Sequence, residues 1–318
     1  MKKWIAIALT AALLVVAVPA CGWAADSGKK INIVTTIFPP YDFTREVAQD
    51  EAEITMLLRP GSETHSYEPT PQDIIKIQNC DVFIYVGGES DEWVKNVLKA
   101  IDAPKMQIVT LMDCVSVVEE EIVEGMQEEE EEEEEEEGHV HEEEYDEHVW
   151  TSPRNAKLIV QKISGTLCEV DAVNADAYKK NTAACLEKLD KLDAELKKVV
   201  DGAARKTLVF GDRFPFRYFA DAYGLSYFAA FPGCSTETEA SAATVAFLID
   251  KVEAEKIPVV FHIELSNEKI ADTICEATGA KNLLLHACHN ISRDDFQKGA
   301  TYLGLMTANI DALKQALY

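Results

Sequence analysis

Residues 31–37 read Ile-Asn-Ile-Val-Thr-Thr-Ile, and Phe38-Pro39-Pro40 follows at once. A β-branched run of this length predicts a buried strand, and residues 41–48 after it have the pattern of a helix. The alternation continues, with predicted strands at 52–58, 82–86 and 107–110 and predicted helices at 70–78 and 92–100. Strands that alternate with helices are typical of an α/β lobe built on a mostly parallel four-stranded sheet.

The pattern repeats in the last third of the chain, where strands are predicted at 207–210, 227–230, 258–263 and 282–285. Before them, residues 175–200 predict one long amphipathic helix, because apolar residues recur every three or four positions and neither Gly nor Pro interrupts them. We therefore predict two doubly wound α/β lobes joined by one long backbone helix. The predicted boundaries are 30–168 for the N-terminal lobe, 169–203 for the linking helix and 204–318 for the C-terminal lobe.

The N-terminus has the order of regions found in a bacterial secretory signal. Lys2 and Lys3 precede an apolar stretch at 4–20, and Cys21 follows a small residue. We expect a signal peptide at 1–20 and an exported lipoprotein anchored through Cys21 at the outer face of the cytoplasmic membrane. The alternative is a soluble periplasmic protein cleaved a few residues later. In either case we expect a monomer.

The charge of the chain is concentrated in one tract. Of the formal net charge of -26, much lies in residues 119–147, which include ten consecutive glutamates at 128–137 and no Lys or Arg. Like charges repel and bury no apolar surface, so we expect a disordered loop at 116–147. With His139 and His141 the tract is either a solvated spacer or a weak metal collector. So acidic a chain disfavours nucleic acid as a partner.

The seven histidines of the chain point to metal handling, since all but His262 lie in predicted loops or just after strand ends. Loops at strand ends are where ligands are usually presented. His65 precedes a helix that Thr70 caps and Pro71 begins, so its loop is held at little entropic cost.

Three motifs follow one another in a recognisable order: Phe-Pro-Pro-Tyr-Asp-Phe at 38–43, His-Ser-Tyr-Glu-Pro-Thr-Pro at 65–71 and His-Val-Trp-Thr-Ser-Pro at 148–153. Together they closely resemble the signatures of the zinc and manganese substrate-binding proteins of bacterial ABC importers. The resemblance covers essentially the whole exported chain, and it implies one transition-metal ion held between two lobes. It also implies that His65 and His148 are the two ligands from the N-terminal lobe.

The chain departs from that family at the third ligand. The family usually has a His or Glu at the end of the first strand of the C-terminal lobe, and no His is present there in this chain. Aligned strand ends place Asp212 at this position, whereas counting back from Tyr218 places Arg213, which stays protonated and cannot bind a metal. Asp212 is thus either a ligand or the partner of an arginine in an ion pair.

Two further segments could supply the missing donors. His286 and His289 follow a predicted strand where the family has an aspartate, and the sequence does not show which of them is the main ligand. Glu264 ends another strand that points at the same cleft, and it either binds the metal or orients a histidine. His262 is interpreted as structural.

The function that these features predict is binding without turnover. We expect a protein that captures Zn2+, with Mn2+ as the alternative, and delivers it to an ABC-transporter permease. A metal-dependent surface adhesin is a second interpretation. A zinc hydrolase is disfavoured, because the sequence has no His-Glu-x-x-His helix and no Ser nucleophile motif.

Overall fold

A computed structural model describes residues 30–126, 145–235 and 239–318. The described residues form two four-stranded parallel sheets with the same strand order, β2-β1-β3-β4 and β6-β5-β7-β8. The first contains β1 (Ile31–Thr35), β2 (Ala52–Met56), β3 (Val82–Tyr85) and β4 (Gln107–Thr110). The second contains β5 (Thr207–Arg213), β6 (Ser226–Phe231), β7 (Val259–His262) and β8 (Lys281–Leu284). The predicted fold class, two α/β lobes with helix-flanked parallel sheets, is confirmed.

Helices flank both sheets, and the inner strands β1, β3, β5 and β7 are mostly buried, as expected for covered parallel sheets. The helices are α1 (Phe38–Ala48), α2 (Pro71–Gln78), α3 (Glu92–Ala100), α4 (Pro153–Val170), α5 (Ala175–Asp201), α6 (Arg217–Tyr223), α7 (Ala242–Glu255), α8 (Lys269–Thr278), α9 (Arg293–Gln297) and α10 (Tyr302–Leu317). Three of them, α1, α2 and α4, have a proline in their first turn, where its missing N–H is not needed. Helix α2 also has a reciprocal capping box between Thr70 and Asp73.

The long helix α5 connects the two halves of the molecule. It has 27 residues, which corresponds to about 40 Å of helix. It contacts α1 and α4 on one side and α10 on the other, and it buries Tyr178, Leu189 and Leu196 completely. The largest of three apolar clusters among the described residues includes both Ile33 in β1 and Phe261 in β7. This core is continuous between the two sheets and marks no border between lobes. The predicted lobe boundaries at 168 and 203 therefore stay predictions.

Residues 115–126, which we call the strap, leave the N-terminal sheet and lie across the C-terminal lobe. The backbone N–H of Val118 donates to the hydroxyl of Tyr218 over 3.3 Å, and the Tyr227 hydroxyl donates to Glu121 over 3.0 Å. Gly125 adopts a left-handed φ of +87°, and a Cβ built there would lie 2.0 Å from the Phe247 ring. Part of the loop expected to be disordered at 116–147 therefore has defined contacts.

Some predictions concern parts of the chain that the structure does not describe. The signal peptide at 1–20 and Cys21 lie outside the described residues, and so does the centre of the acidic tract with His139 and His141. In the part that is described, none of the helices combines the length and the hydropathy required to cross a bilayer.

Candidate metal centre

Four side chains converge between the lobes: His65, Glu147, His148 and His289. Each offers one donor atom, and these atoms all lie within 4.8 Å of one another. The imidazole centroid of His289 lies 4.8 Å from that of His65 and 4.9 Å from that of His148. We call these four residues the metal cluster.

The backbone brings the metal cluster together from three loops. His65 lies between β2 and α2, and His289 lies in the loop after β8. Glu147 and His148 come directly before a short 3-10 helix, Val149–Thr151, which leads into α4. The N-terminal lobe thus contributes three members and the C-terminal lobe one.

His148 is fixed by its neighbour Asp146. One oxygen of Asp146 accepts the backbone N–H of His148 over 2.7 Å and lies 3.1 Å from the ring Nδ1. The other ring nitrogen, Nε2, is fully buried and has no hydrogen-bond partner among the described residues. A buried polar atom left unpaired costs about 1–3 kcal/mol, which a metal bound at Nε2 would offset.

Ser90 organises the other side of the metal cluster. Its hydroxyl donates to Oε1 of Glu147 over 2.5 Å and lies 2.9 Å from Nδ1 of His65. Its backbone N–H donates to Oε2 of Glu147 over 3.1 Å. Ser90 therefore orients an imidazole and the carboxylate beside it, in the way that partners of metal ligands usually do.

The charges around the metal cluster favour neutral imidazoles at two positions. Burial, reinforced by the charge of His148 when protonated and by Arg213, lowers the pKa of His65 to about 3. Burial and the two other imidazoles lower the pKa of His289 well below its usual range. For His148 burial alone would lower the pKa, but Asp146 and the nearby glutamates outweigh it and raise the pKa. Burial raises the pKa of Glu147. Neutral imidazoles have the free lone pair that a metal ion requires.

Asp212 is not a member of the metal cluster in the described structure. Strand β5 extends to Arg213, beyond its expected end at 210, with a register irregularity between Phe210 and Arg213. One oxygen of Asp212 accepts the backbone N–H of Arg213 over 2.8 Å, and the other accepts that of Ile263 over 3.2 Å. The carboxylate that the sequence offered as a ligand is thus engaged by backbone N–H groups.

His286 and Glu264 also lie outside the metal cluster as described. Nδ1 of His286 accepts the backbone N–H of Cys288 over 2.9 Å, so this nitrogen is occupied. Glu264 accepts hydrogen bonds from backbone N–H groups of the loop that contains His286, including the N–H of His289 at 2.7 Å. Of the predicted donors in this loop, the structure brings His289 to His65 and His148.

Sequence reasoning missed Glu147, Asp146 and Ser90. The position of Glu147 directly before His148 was the available signal, but the glutamates preceding it in the tract concealed that signal. No sequence signal pointed to Ser90, since it follows β3 and only the folded chain brings it into contact with Glu147.

Comparison with known proteins gives one consistent family. Residues 33–316 match the family model described as ZnuA, zinc-uptake complex component A, periplasmic. The high-affinity zinc uptake system protein ZnuA of Bacillus subtilis is 34% identical over 322 residues, which cover 99% of this chain and 98% of that protein. The zinc-binding lipoprotein AdcA of Streptococcus pneumoniae (strain R6) is 33% identical over 307 residues, covering 96% of this chain. The chain spans 60% of the length of that relative.

The fold also matches a solved structure. The Zn(II)-bound ZnuA-like domain of Streptococcus pneumoniae AdcA superposes with a TM-score of 0.75 at 31% identity, covering 91% of this chain and 99% of that domain.

Proposed function

The chain belongs to the ZnuA family of zinc-uptake components, and on that basis we propose that it captures Zn2+ in the metal cluster and delivers it to an ABC-transporter permease. The observation that carries the proposal is the buried Nε2 of His148, which is unpaired within the described residues and lies among two further imidazoles and a carboxylate.

The donor set favours zinc over manganese. Three imidazole nitrogens and one carboxylate oxygen match the four-coordinate sites of Zn2+, whereas Mn2+ prefers oxygen donors. Asp212 and Glu264, which would have made the site richer in oxygen, are engaged by backbone N–H groups instead.

The same donor set supports binding rather than catalysis. A catalytic zinc site keeps one position open for water or substrate, whereas the four donors here would fill all four positions of a four-coordinate zinc ion. His148 is 0% exposed and Glu147 is 1% exposed, so bulk water does not reach these donors directly. We infer that metal is exchanged through movement of a loop.

The remaining parts of the proposal concern location and assembly. We propose export by the signal at 1–20 and a lipid anchor on Cys21, in keeping with the lipoprotein named among the relatives. A monomer held at the outer face of the cytoplasmic membrane would meet its permease there.

Metal titration of the purified, demetallated protein tests the proposal. We expect one Zn2+ per chain, bound at least about 100-fold more tightly than Mn2+ in competition. His148→Ala should abolish stoichiometric binding, while His262→Ala is the matched control, because His262 bonds Asn282 away from the metal cluster. Undiminished binding by the His148→Ala protein, or no stoichiometric zinc in the unmodified protein, would contradict the proposal.

A further inference from the structure

We propose that Glu264 is the positioning residue for His289: its carboxylate fixes the backbone of residues 286–290 so that the imidazole is held in place before metal arrives. The inference rests on the proposed function and assigns a task to a residue outside the metal cluster.

The first observation is how the loop satisfies its backbone. Residues 286–290, all of them described, form neither helix nor strand, yet each of their five backbone N–H groups donates to a side chain. Glu264 accepts three of them, from Ala287 at 2.7 Å, His289 at 2.7 Å and Asn290 at 3.4 Å. Asn309 accepts the N–H of His286 over 2.8 Å. Four of these N–H groups are therefore held by Glu264 and Asn309, which lie elsewhere in the C-terminal lobe, and the fifth, that of Cys288, donates to His286 within the loop.

The second observation is a strained residue at the centre of the loop. Cys288 has a left-handed φ of +60° although it is not glycine. That conformation costs roughly 1–2 kcal/mol in a residue with a Cβ, so the surroundings must impose it. Glu264 holds the N–H groups on both sides of Cys288, those of Ala287 and His289. This turn directs His289, rather than His286, into the metal cluster.

The charge of Glu264 explains why a carboxylate suits this position. Its side chain is 7% exposed, and its two oxygens accept from opposite ends of the turn. Hydrogen bonds to an ionised acceptor are roughly twice as strong as neutral ones. A glutamine would present one oxygen and one NH2 group, and the NH2 group cannot accept a backbone N–H.

The consequence is that the C-terminal lobe offers a preorganised ligand. The His289 ring stands nearly perpendicular to the rings of His65 and His148, at 85° and 89°. Without Glu264 the loop would lose the constraint on both sides of Cys288, and His289 would pay an ordering cost on metal binding. His65, Glu147 and His148 would keep their own supports.

A double-mutant cycle tests this role. Zinc affinity is measured by chelator competition for the unmodified protein, Glu264→Gln, His289→Ala and the double variant. We expect Glu264→Gln alone to weaken binding about 10- to 100-fold and to add less than about 2-fold in the His289→Ala background. An equal loss in both backgrounds would overturn the inference, because Glu264 would then act as a ligand or through general stability. Glu276→Gln, an exposed glutamate of α8, is the matched control.

A second measurement needs no metal. Amide hydrogen exchange of the demetallated protein should show faster exchange at Ala287 and His289 in Glu264→Gln, with unchanged exchange in β1 and β3. Unaltered protection of these two amides would overturn the inference. Should Glu264→Gln fail to fold, Glu264→Asp replaces it, because it keeps the charge but is one methylene too short to hold both N–H groups. The affinity cycle and the amide exchange then test the inference in the same way. If the unmodified protein binds no zinc, the proposed function fails, while the exchange result still decides the role of Glu264.

Discussion

Asp146 and His148 are joined twice within two residues, since one carboxylate oxygen of Asp146 accepts the backbone N–H of His148 and lies 3.1 Å from its Nδ1. An ionised carboxylate only accepts, so in the neutral imidazole Nδ1 carries the proton and Nε2 has the free lone pair. Asp146 thus selects the tautomer of neutral His148 whose buried Nε2 could bind a metal ion.

The first prediction concerns this pair. Asp146→Ala removes both hydrogen bonds, frees the imidazole to rotate and should weaken zinc binding about 10- to 100-fold, as for other partners of metal ligands. Chelator competition measures the change. Asp113→Ala, on the short helix after β4, provides the control. An affinity unchanged by Asp146→Ala would show that His148 does not depend on its neighbour.

Glu147 supplies the second prediction. Glu147→Gln retains the size of the side chain but replaces an anionic donor with a neutral amide, so zinc affinity should fall by at least about 10-fold. In the Co2+-loaded protein the visible spectrum should change, because one of the four proposed donors is altered. Glu92→Gln, on the exposed start of α3, should behave as the unmodified protein does. Identical spectra for Glu147→Gln and the unmodified protein would remove Glu147 from the coordination shell.

Substitution of Asp212 should lower the stability of the protein without changing its zinc binding. In Asp212→Asn the amide NH2 would face a backbone N–H that the carboxylate now accepts, which should lower the free energy of unfolding by about 1–3 kcal/mol. Zinc affinity and stoichiometry should stay within about 2-fold, since neither oxygen belongs to the metal cluster. Denaturant unfolding and metal titration on the same preparation make the test, and loss of stoichiometric zinc would restore Asp212 as a ligand.

The capping box of α2 gives a pH-dependent prediction. Burial alone would raise the pKa of Asp73, but hydrogen bonds from Thr70 and Lys76 outweigh it and lower the pKa. A lowered pKa in the folded protein stabilises it above the ordinary pKa of an aspartate, and this stabilisation is lost as the pH falls through the lowered value. Asp73→Asn should cost about 1 kcal/mol at pH 7.

Melting temperatures of the unmodified protein and Asp73→Asn, compared from pH 7 downwards, show whether the stability difference shrinks or grows with acidification. The two should converge as the pH falls, because the unmodified carboxyl then also becomes neutral. A difference that widens on acidification would contradict the assignment.

The acidic tract is tested by replacement. Exchanging residues 127–144 for a Gly/Ser linker of equal length removes the glutamates at 128–137 and 142–144 and both histidines, while leaving the strap and Tyr145 in place. We expect the tight zinc site to be retained, since the metal cluster lies wholly outside that segment. Weak additional zinc should disappear if the tract is a collector and stay unchanged if it is a spacer. Loss of the tight site would mean that the tract contributes to it.

Much of the fold was available from local signals. The β-branched run at 31–37 and the prolines of α2 and α4 mark elements at the positions where the structure has them, whereas α1 begins at Phe38, three residues before its predicted start. The extension of β5 to Arg213 could not be predicted from local signals, because Gly211 and Asp212 have low strand propensity. Tertiary contacts with Ala271 and Ile263 hold them there.

The metal cluster shows a similar division. His65 and His148 stand in motifs that precede helices, and such motifs are readable one at a time. The choice between His286 and His289 could not be read from the sequence, because it depends on the left-handed turn at Cys288, whose flanking N–H groups Glu264 holds from the turn after β7. Glu147 needed the contact with Ser90, a residue 57 positions away.

The uneven division of donors between the lobes has a kinetic consequence. His65, Glu147 and His148 lie on one lobe, so under the proposed function an ion that lost His289 would still have three donors and would not leave at once. Departure would then be a sequence of steps whose first is the displacement of a single loop. Under the proposed function, a permease that displaced residues 286–290, which are buried, by moving the surface around them would raise the dissociation rate without bending α5 or parting the core that both sheets share.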